Sequence, residues 1–177
     1  MKDNHATNLP PGAGFDRDAF TALFDGIYEH SPWVAQEIFD NNHTDDSGDI
    51  GVLAQRMAAI VDGAGYEKQL VLLRAHPDLA GRLALQGELT EASTDEQKSA
   101  GLDQCTPEEL VQFQSLNKKY TDKFGFPFIL AVSGKNRAQI LENFETRVEN
   151  SPKEEFTTAL REVHKIARIR LEKLSNE

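Results

Sequence analysis

From Phe15 almost to the last residue, apolar side chains recur at three- and four-residue steps, the period of a helix that buries one face. One stretch interrupts that period with a continuous apolar run, Phe124-Gly125-Phe126-Pro127-Phe128-Ile129-Leu130-Ala131-Val132. No second convincing strand exists to pair with it, and Pro127 within the run argues against a central strand. The run is therefore read as a buried, partly extended connector inside an all-α chain.

The stripes can be followed along the sequence. Phe15, Ala19, Ala22, Leu23 and Ile27 set the expected face of the first helix. His30-Ser31-Pro32-Trp33 breaks and restarts the helix, with Ser31 suited to the N-cap and Pro32 to the first helical position. A polar loop follows at residues 41–48. Ile50, Leu53, Met57 and Ile60 then resume the stripe as far as the Gly63-Ala64-Gly65 turn. Thr106-Pro107-Glu108-Glu109 and Ser151-Pro152-Lys153-Glu154 match the capping box, a hydroxyl followed by Glu three residues on. The first leads into Leu110, Phe113, Leu116, Tyr120 and Phe124, the second into Phe156, Leu160, Val163, Ala167, Leu171 and Leu174.

No internal repeat or linker divides the chain. The expectation is a single-domain multi-helix bundle over residues 15–177, preceded by a flexible polar arm at residues 1–14. A length of 177 residues suits one domain with a sizeable core. A formal net charge of −10 argues against nucleic acid or an anionic membrane surface as partner, so an anionic ligand needs a local cation. One cysteine, Cys105, excludes an internal disulfide and a cysteine-based zinc cage and fits a reduced, cytoplasmic protein. The amino-terminal residues lack a signal-peptide core, the carboxy-terminal LSNE is not a peroxisomal address, and no apolar stretch approaches the roughly 20 residues that span a bilayer.

Three features carry chemistry or a plainer structural role, and the residues alone leave both readings open. Arg170 shares the apolar face of the last helix with Val163, Ile166 and Leu174, away from the polar face of Arg161, Lys165, Arg168 and Glu172. A guanidinium there needs an anion, supplied by a buried Asp or Glu or by a ligand, unless it snorkels to the surface. In Leu72-Leu73-Arg74-Ala75-His76-Pro77-Asp78-Leu79-Ala80-Gly81, Pro77 disfavours helical dihedrals at His76, which places the imidazole at a helix junction. It either fills a corner between helices or faces a cleft. In Leu89-Thr90-Glu91-Ala92-Ser93-Thr94-Asp95-Glu96-Gln97, Ser93 and Glu96 have capping-box spacing, and the Glu96-Gln97 pair in a first helical turn can instead address a ligand. The histidines, His5, His30, His43, His76 and His164, form no HxxxH-like cluster, so no metal site is expected. SGKN at Ser133 to Asn136 lacks P-loop spacing, and no GxSxG elbow is present.

Taken in order, EHSPWVA (Glu29 to Ala35), LLRAHPDLAGRLA (Leu72 to Ala84), LTEASTDEQ (Leu89 to Gln97), LNKKYTDKFGFPFILAVSGKN (Leu116 to Asn136) and HKIARIRLEKL (His164 to Leu174) resemble the 2-oxo-4-hydroxy-4-carboxy-5-ureidoimidazoline (OHCU) decarboxylase family. The resemblance covers about Phe15 to Leu174. It implies an all-helical, usually homodimeric lyase of purine and urate breakdown that works without metal or organic cofactor. Its small-molecule substrate, OHCU, would be converted to (S)-allantoin with release of carbon dioxide. By the same resemblance His76 is the essential histidine and Pro77 shapes its turn. Ser93, Glu96 and Gln97 are substrate contacts, with Glu96 counted in the catalytic set. Phe126, Phe128 and Ile129 line the cavity, and Arg170 binds the substrate. Two rivals remain at this stage: a non-enzymatic helical interaction module and a related ureide hydrolase.

Overall fold

The computed structural model describes residues 14–176, so the expected arm, apart from Gly14, lies outside the described residues. Among the described residues there are helices and turns and no strand. The helices are α1 (Arg17–Phe24), α2 (Trp33–Asp40), α3 (Ile50–Gly63), α4 (Tyr66–Arg74), α5 (Arg82–Gln86), α6 (Glu91–Ser99), α7 (Pro107–Phe124), α8 (Arg137–Arg147) and α9 (Pro152–Leu174). The chain groups into two compact units. One runs up to Leu72 and resumes at His164; the other is Leu73–Val163.

In the first unit, α1 packs on α2 and α2 on α3. The Asp16 carboxylate accepts from the Ala19 N–H to open α1, and Asp49 does the same for Val52 at α3. The buried face of α1 differs from the expected one. Phe20 and Phe24 are buried and in ring contact at 4.8 Å, whereas Ala19 and Ala22 are exposed. Two rings four residues apart bury far more apolar surface than two alanines, so they set the phase of the helix. The second restart is also shifted. Helix α2 begins at Trp33 behind Pro32, with no side-chain cap, and the Ser31 hydroxyl donates instead to the Glu29 carbonyl at 3.0 Å. Elsewhere along the chain, Ile50, Leu53 and Met57 are buried on α3 as expected, with Val61 buried in place of the half-buried Ile60, and Leu160, Val163, Ala167 and Leu171 are buried on α9.

In the second unit, the capping box at Thr106 and Glu109 opens α7 as expected, and Ser151 and Glu154 exchange the same bonds at α9. Helix α7 ends at Gly125, whose φ of 77° lies in the left-handed region that glycine adopts without strain. The apolar run after it forms neither helix nor strand and is buried except at the half-buried Pro127, as expected of a buried connector. Its backbone is satisfied by side chains. Arg74 Nε donates to the Gly125 carbonyl at 2.8 Å, Arg147 Nη1 to the Ile129 carbonyl at 2.6 Å, and the Ala131 N–H donates to Glu162 Oε2 at 2.9 Å. Three helices thus supply what a partner strand would otherwise supply.

Arg147 is itself held in a buried cluster. Its Nε donates to Glu155 Oε1 at 2.8 Å, Nη2 donates to the same oxygen, and the guanidinium lies 4.5 Å from the Phe128 ring centre. Tyr120 and Asn150 also donate to Glu155, which is fully buried. Around this cluster Phe128 stacks on Phe144 at 3.8 Å, and Tyr120 meets Phe124, Phe126 and Phe128.

Candidate active site

The residues expected to carry chemistry fall in both units. Helix α4 ends at Arg74 and delivers His76 to a bend, as Pro77 requires; the His76 N–H closes the helix end on the Leu73 carbonyl at 3.2 Å. His76 is 8% exposed, low for a histidine at the end of a helix. The backbone after it is unusual. Ala80 sits at φ 48°, a left-handed conformation that costs an alanine about 1–2 kcal/mol. Beside it, a Cβ on Gly81 would fall 2.4 Å from the Cβ of Asp78, so only glycine fits. Strain of this kind persists where the surroundings over-determine it.

Gln97 is part of those surroundings. Its Oε1 accepts from the Ala80 N–H at 3.0 Å, and its Nε2 donates to the Asp78 carbonyl at 3.1 Å. One amide therefore grips the segment after His76 from both sides of Leu79. Asn117 of α7 completes the grip, donating from Nδ2 to the Leu79 carbonyl at 3.0 Å. Asn117 lies four residues after Phe113 and three before Tyr120 and shares their buried stripe. The test of phase that singles out Arg170 would have found it.

Helix α6 carries the rest of the expected set. Thr90, not Ser93, is its N-cap, with the Thr90 hydroxyl accepting from the Ser93 N–H at 3.3 Å. Ser93 is then inside the helix, so the capping explanation of Ser93 and Glu96 falls away. The only buried residues of α6 are Ser93 and Gln97, 3% and 5% exposed, with Glu96 half-buried next to Gln97. A helix that turns a serine and a glutamine inward, with no large apolar residue beside them, gains little from burial and is shaped by its polar contacts.

Phe126, Phe128 and Ile129 are buried in the aromatic cluster of the second unit, with the Ile129 carbonyl taken by Arg147. A cavity of about 400 Å³ in the same unit is walled by Ala80, Leu89, Gln97, Lys98, Leu102 and Cys105 among others. His76, Ser93 and Glu96 do not line it. Burial raises the Asp78 carboxyl above the usual carboxylate range. Among the described residues, no three His, Cys, Asp or Glu side chains gather into a set that could hold a metal ion.

Arg170 lies in the first unit. It is buried on the apolar face of α9, and Nη1 donates to Glu29 Oε2 at 2.7 Å and to the Gly26 carbonyl at 2.9 Å. Glu29, itself 2% exposed, belongs to the EHSPWVA string, so two of the conspicuous strings meet in one ion pair. A second contact in this unit links Tyr28 Oη to His164 Nδ1 at 3.0 Å, with His164 Nε2 3.0 Å from Asp62. Burial pushes the Tyr28 hydroxyl well above the usual tyrosine range. No helix among the described residues is long and apolar enough to cross a membrane.

The family model described as OHCU decarboxylase matches residues 14–172. The 2-oxo-4-hydroxy-4-carboxy-5-ureidoimidazoline decarboxylase of Halalkalicoccus jeotgali is 44% identical over 160 residues, which is 90% of this chain and 87% of that relative. The protein of the same name from Haloferax volcanii is 43% identical over 174 residues, 98% of this chain and 99% of the relative. A crystal structure of (S)-allantoin synthase aligns with a TM-score of 0.72 at 35% identity over 92% of this chain, which spans 52% of that longer chain. A match over most of its length, with the HPDLAG and FGFPFI strings inside it, places this chain in the OHCU decarboxylase family.

Proposed function

We propose that the protein is a carboxy-lyase that converts OHCU to (S)-allantoin in urate breakdown. Its family membership supports the reaction, and one observation ties that reaction to residues: the inward polar face of α6 hooks, through Gln97, the backbone that follows His76. An interaction module has no use for a strained, doubly held loop behind a buried histidine. A ureide hydrolase would cleave a C–N bond and would not yield (S)-allantoin with its ring and ureido group intact.

In the reaction, the bond from the ring carbon to its carboxylate breaks and the electron pair passes into the conjugated imidazoline–ureide system. A substrate that is its own electron sink asks the protein for no organic sink. What the protein supplies is position, one proton and exclusion of water. His76 handles the proton, since an imidazole titrates near neutral pH. Glu96 accepts from ring or ureido N–H groups, and Ser93 offers both a donor and an acceptor. Pro77 fixes the turn that presents His76, and Phe126, Phe128 and Ile129 keep the site dry. Arg170 supplies a planar fork for a carboxylate or a ureido carbonyl, oriented by Glu29. The resemblance supports a homodimer in the cytoplasm, and sedimentation of the purified protein checks the dimer.

The test follows the circular dichroism of (S)-allantoin formed from freshly oxidised urate, together with carbon dioxide release. Spontaneous decay gives a racemate, so chirality reports catalysis. The unmodified protein is expected to yield the single enantiomer. His76→Asn is expected to lose turnover by about 10²-fold or more while keeping its helical spectrum. Near-parental turnover in that variant removes His76 from the chemistry.

A further inference from the structure

We propose that Asn117 is a positioning residue for His76, acting with Gln97 as a two-amide clamp on the backbone of the HPDLAG segment; the inference rests on the role given to His76 above. Three consecutive residues after Pro77 are gripped by side chains from two helices. Gln97 takes the Asp78 carbonyl and the Ala80 N–H, and Asn117 takes the Leu79 carbonyl between them. The segment needs such restraint because Ala80 is held at φ 48° and Gly81 closes against the Asp78 side chain. Released, Ala80 would relax toward negative φ and swing the chain that carries His76.

Asn117 is a costly choice for stability alone. It is 7% exposed and occupies an apolar stripe between Phe113 and Tyr120. Its Oδ1 is buried without a hydrogen-bond partner, which forfeits part of what the Nδ2 bond contributes. A leucine at this position would fill similar space with no orphaned atom of its own. The amide therefore earns its place through the one carbonyl it holds.

Two substitutions and one measurement on the parent test the clamp. Asn117→Leu keeps the bulk and removes the donor, and it is expected to keep a melting temperature close to the parent while kcat falls about tenfold or more and KM changes little. Asn117→Asp removes the donor only when ionised. Protonated, the new carboxyl can again donate to the Leu79 carbonyl, so the ratio of variant to parent kcat is expected to climb as pH falls. A purely structural role moves stability and leaves that ratio flat. Parental kcat in Asn117→Leu, or a pH-independent ratio for Asn117→Asp, overturns the proposal. Should neither variant fold, exchange in the parent decides: an Asn117 Nδ2 amide that exchanges as fast as an exposed side chain overturns the clamp, and slow exchange supports it. A parent that makes no (S)-allantoin sinks the decarboxylase reading instead, and the exchange measurement still judges the clamp by itself.

Discussion

A methyl group on Gly81 would stand 2.4 Å from the Asp78 Cβ, closer than any real pair of side chains, and both atoms belong to the loop behind His76. Gly81→Ala is expected to force that loop apart, costing about 1–3 kcal/mol in stability. The same displacement is expected to lower kcat tenfold or more, read from the (S)-allantoin assay beside a thermal melt. Asp78 gives a prediction with a sign. Burial holds its folded-state pKa above the unfolded value, so the native state binds the proton more tightly than the unfolded chain. That contribution is favourable in acid and is lost as pH rises through the folded pKa. Asp78→Asn, which carries no charge to bury, is expected to be more stable than the parent at neutral pH. Its advantage should shrink on acidification, and denaturant midpoints across that range check it. Some of this was legible from sequence. Pro77 announced the bend at His76, and helical phase put Arg170 on the apolar face of the last helix, while leaving open whether its head is buried or reaches the surface. Thr90 and Ser93 both carry hydroxyls in a plausible capping position, and only the helix start at Glu91 decides between them.

Among elements, the connector after α7 is the one whose stability is most concentrated. Arg147 satisfies its Ile129 carbonyl and neutralises the fully buried Glu155. Arg147→Met keeps an apolar stem and leaves both partners stranded. The expected cost is about 3–5 kcal/mol, the usual range for removing one member of a buried ion pair, measured as a loss of chemical stability in urea. The sequence announced the connector, because an apolar run with Pro127 and no partner strand has few alternatives. It did not announce the anchors. Arg147 is the last residue of α8 and Glu155 lies in the first turn of α9, helix ends where a solvated charge is the ordinary expectation. In α1 the stripe drawn through alanines was out of phase with the rings that decide burial. Counting apolar positions equally, instead of by the area each removes from water, causes that error.

For the whole molecule, the all-helical class and family were legible because five strings recur in order across nearly its full length. The division into two compact units was not, since no linker, Pro-rich stretch or charge run marks it. The overall charge of −10 opposes the approach of an anionic substrate from a distance. Salt screens such repulsion over about 10 Å at 0.1 M, so kcat/KM is expected to rise as ionic strength is raised from very low values, with kcat little changed. A fall in kcat/KM over that range would show that local cations dominate the encounter. The connector has a further consequence for how the chain can change over evolutionary time. A ladder between strands repeats every second residue and can slip to a new register. Pegs that reach Gly125, Ile129 and Ala131 cannot, because each one addresses a single numbered atom of the main chain. Inserting one residue between Gly125 and Ala131 would disengage at least one peg with no neighbour ready to replace it, so this segment should keep its length in descendants that freely lengthen their surface turns.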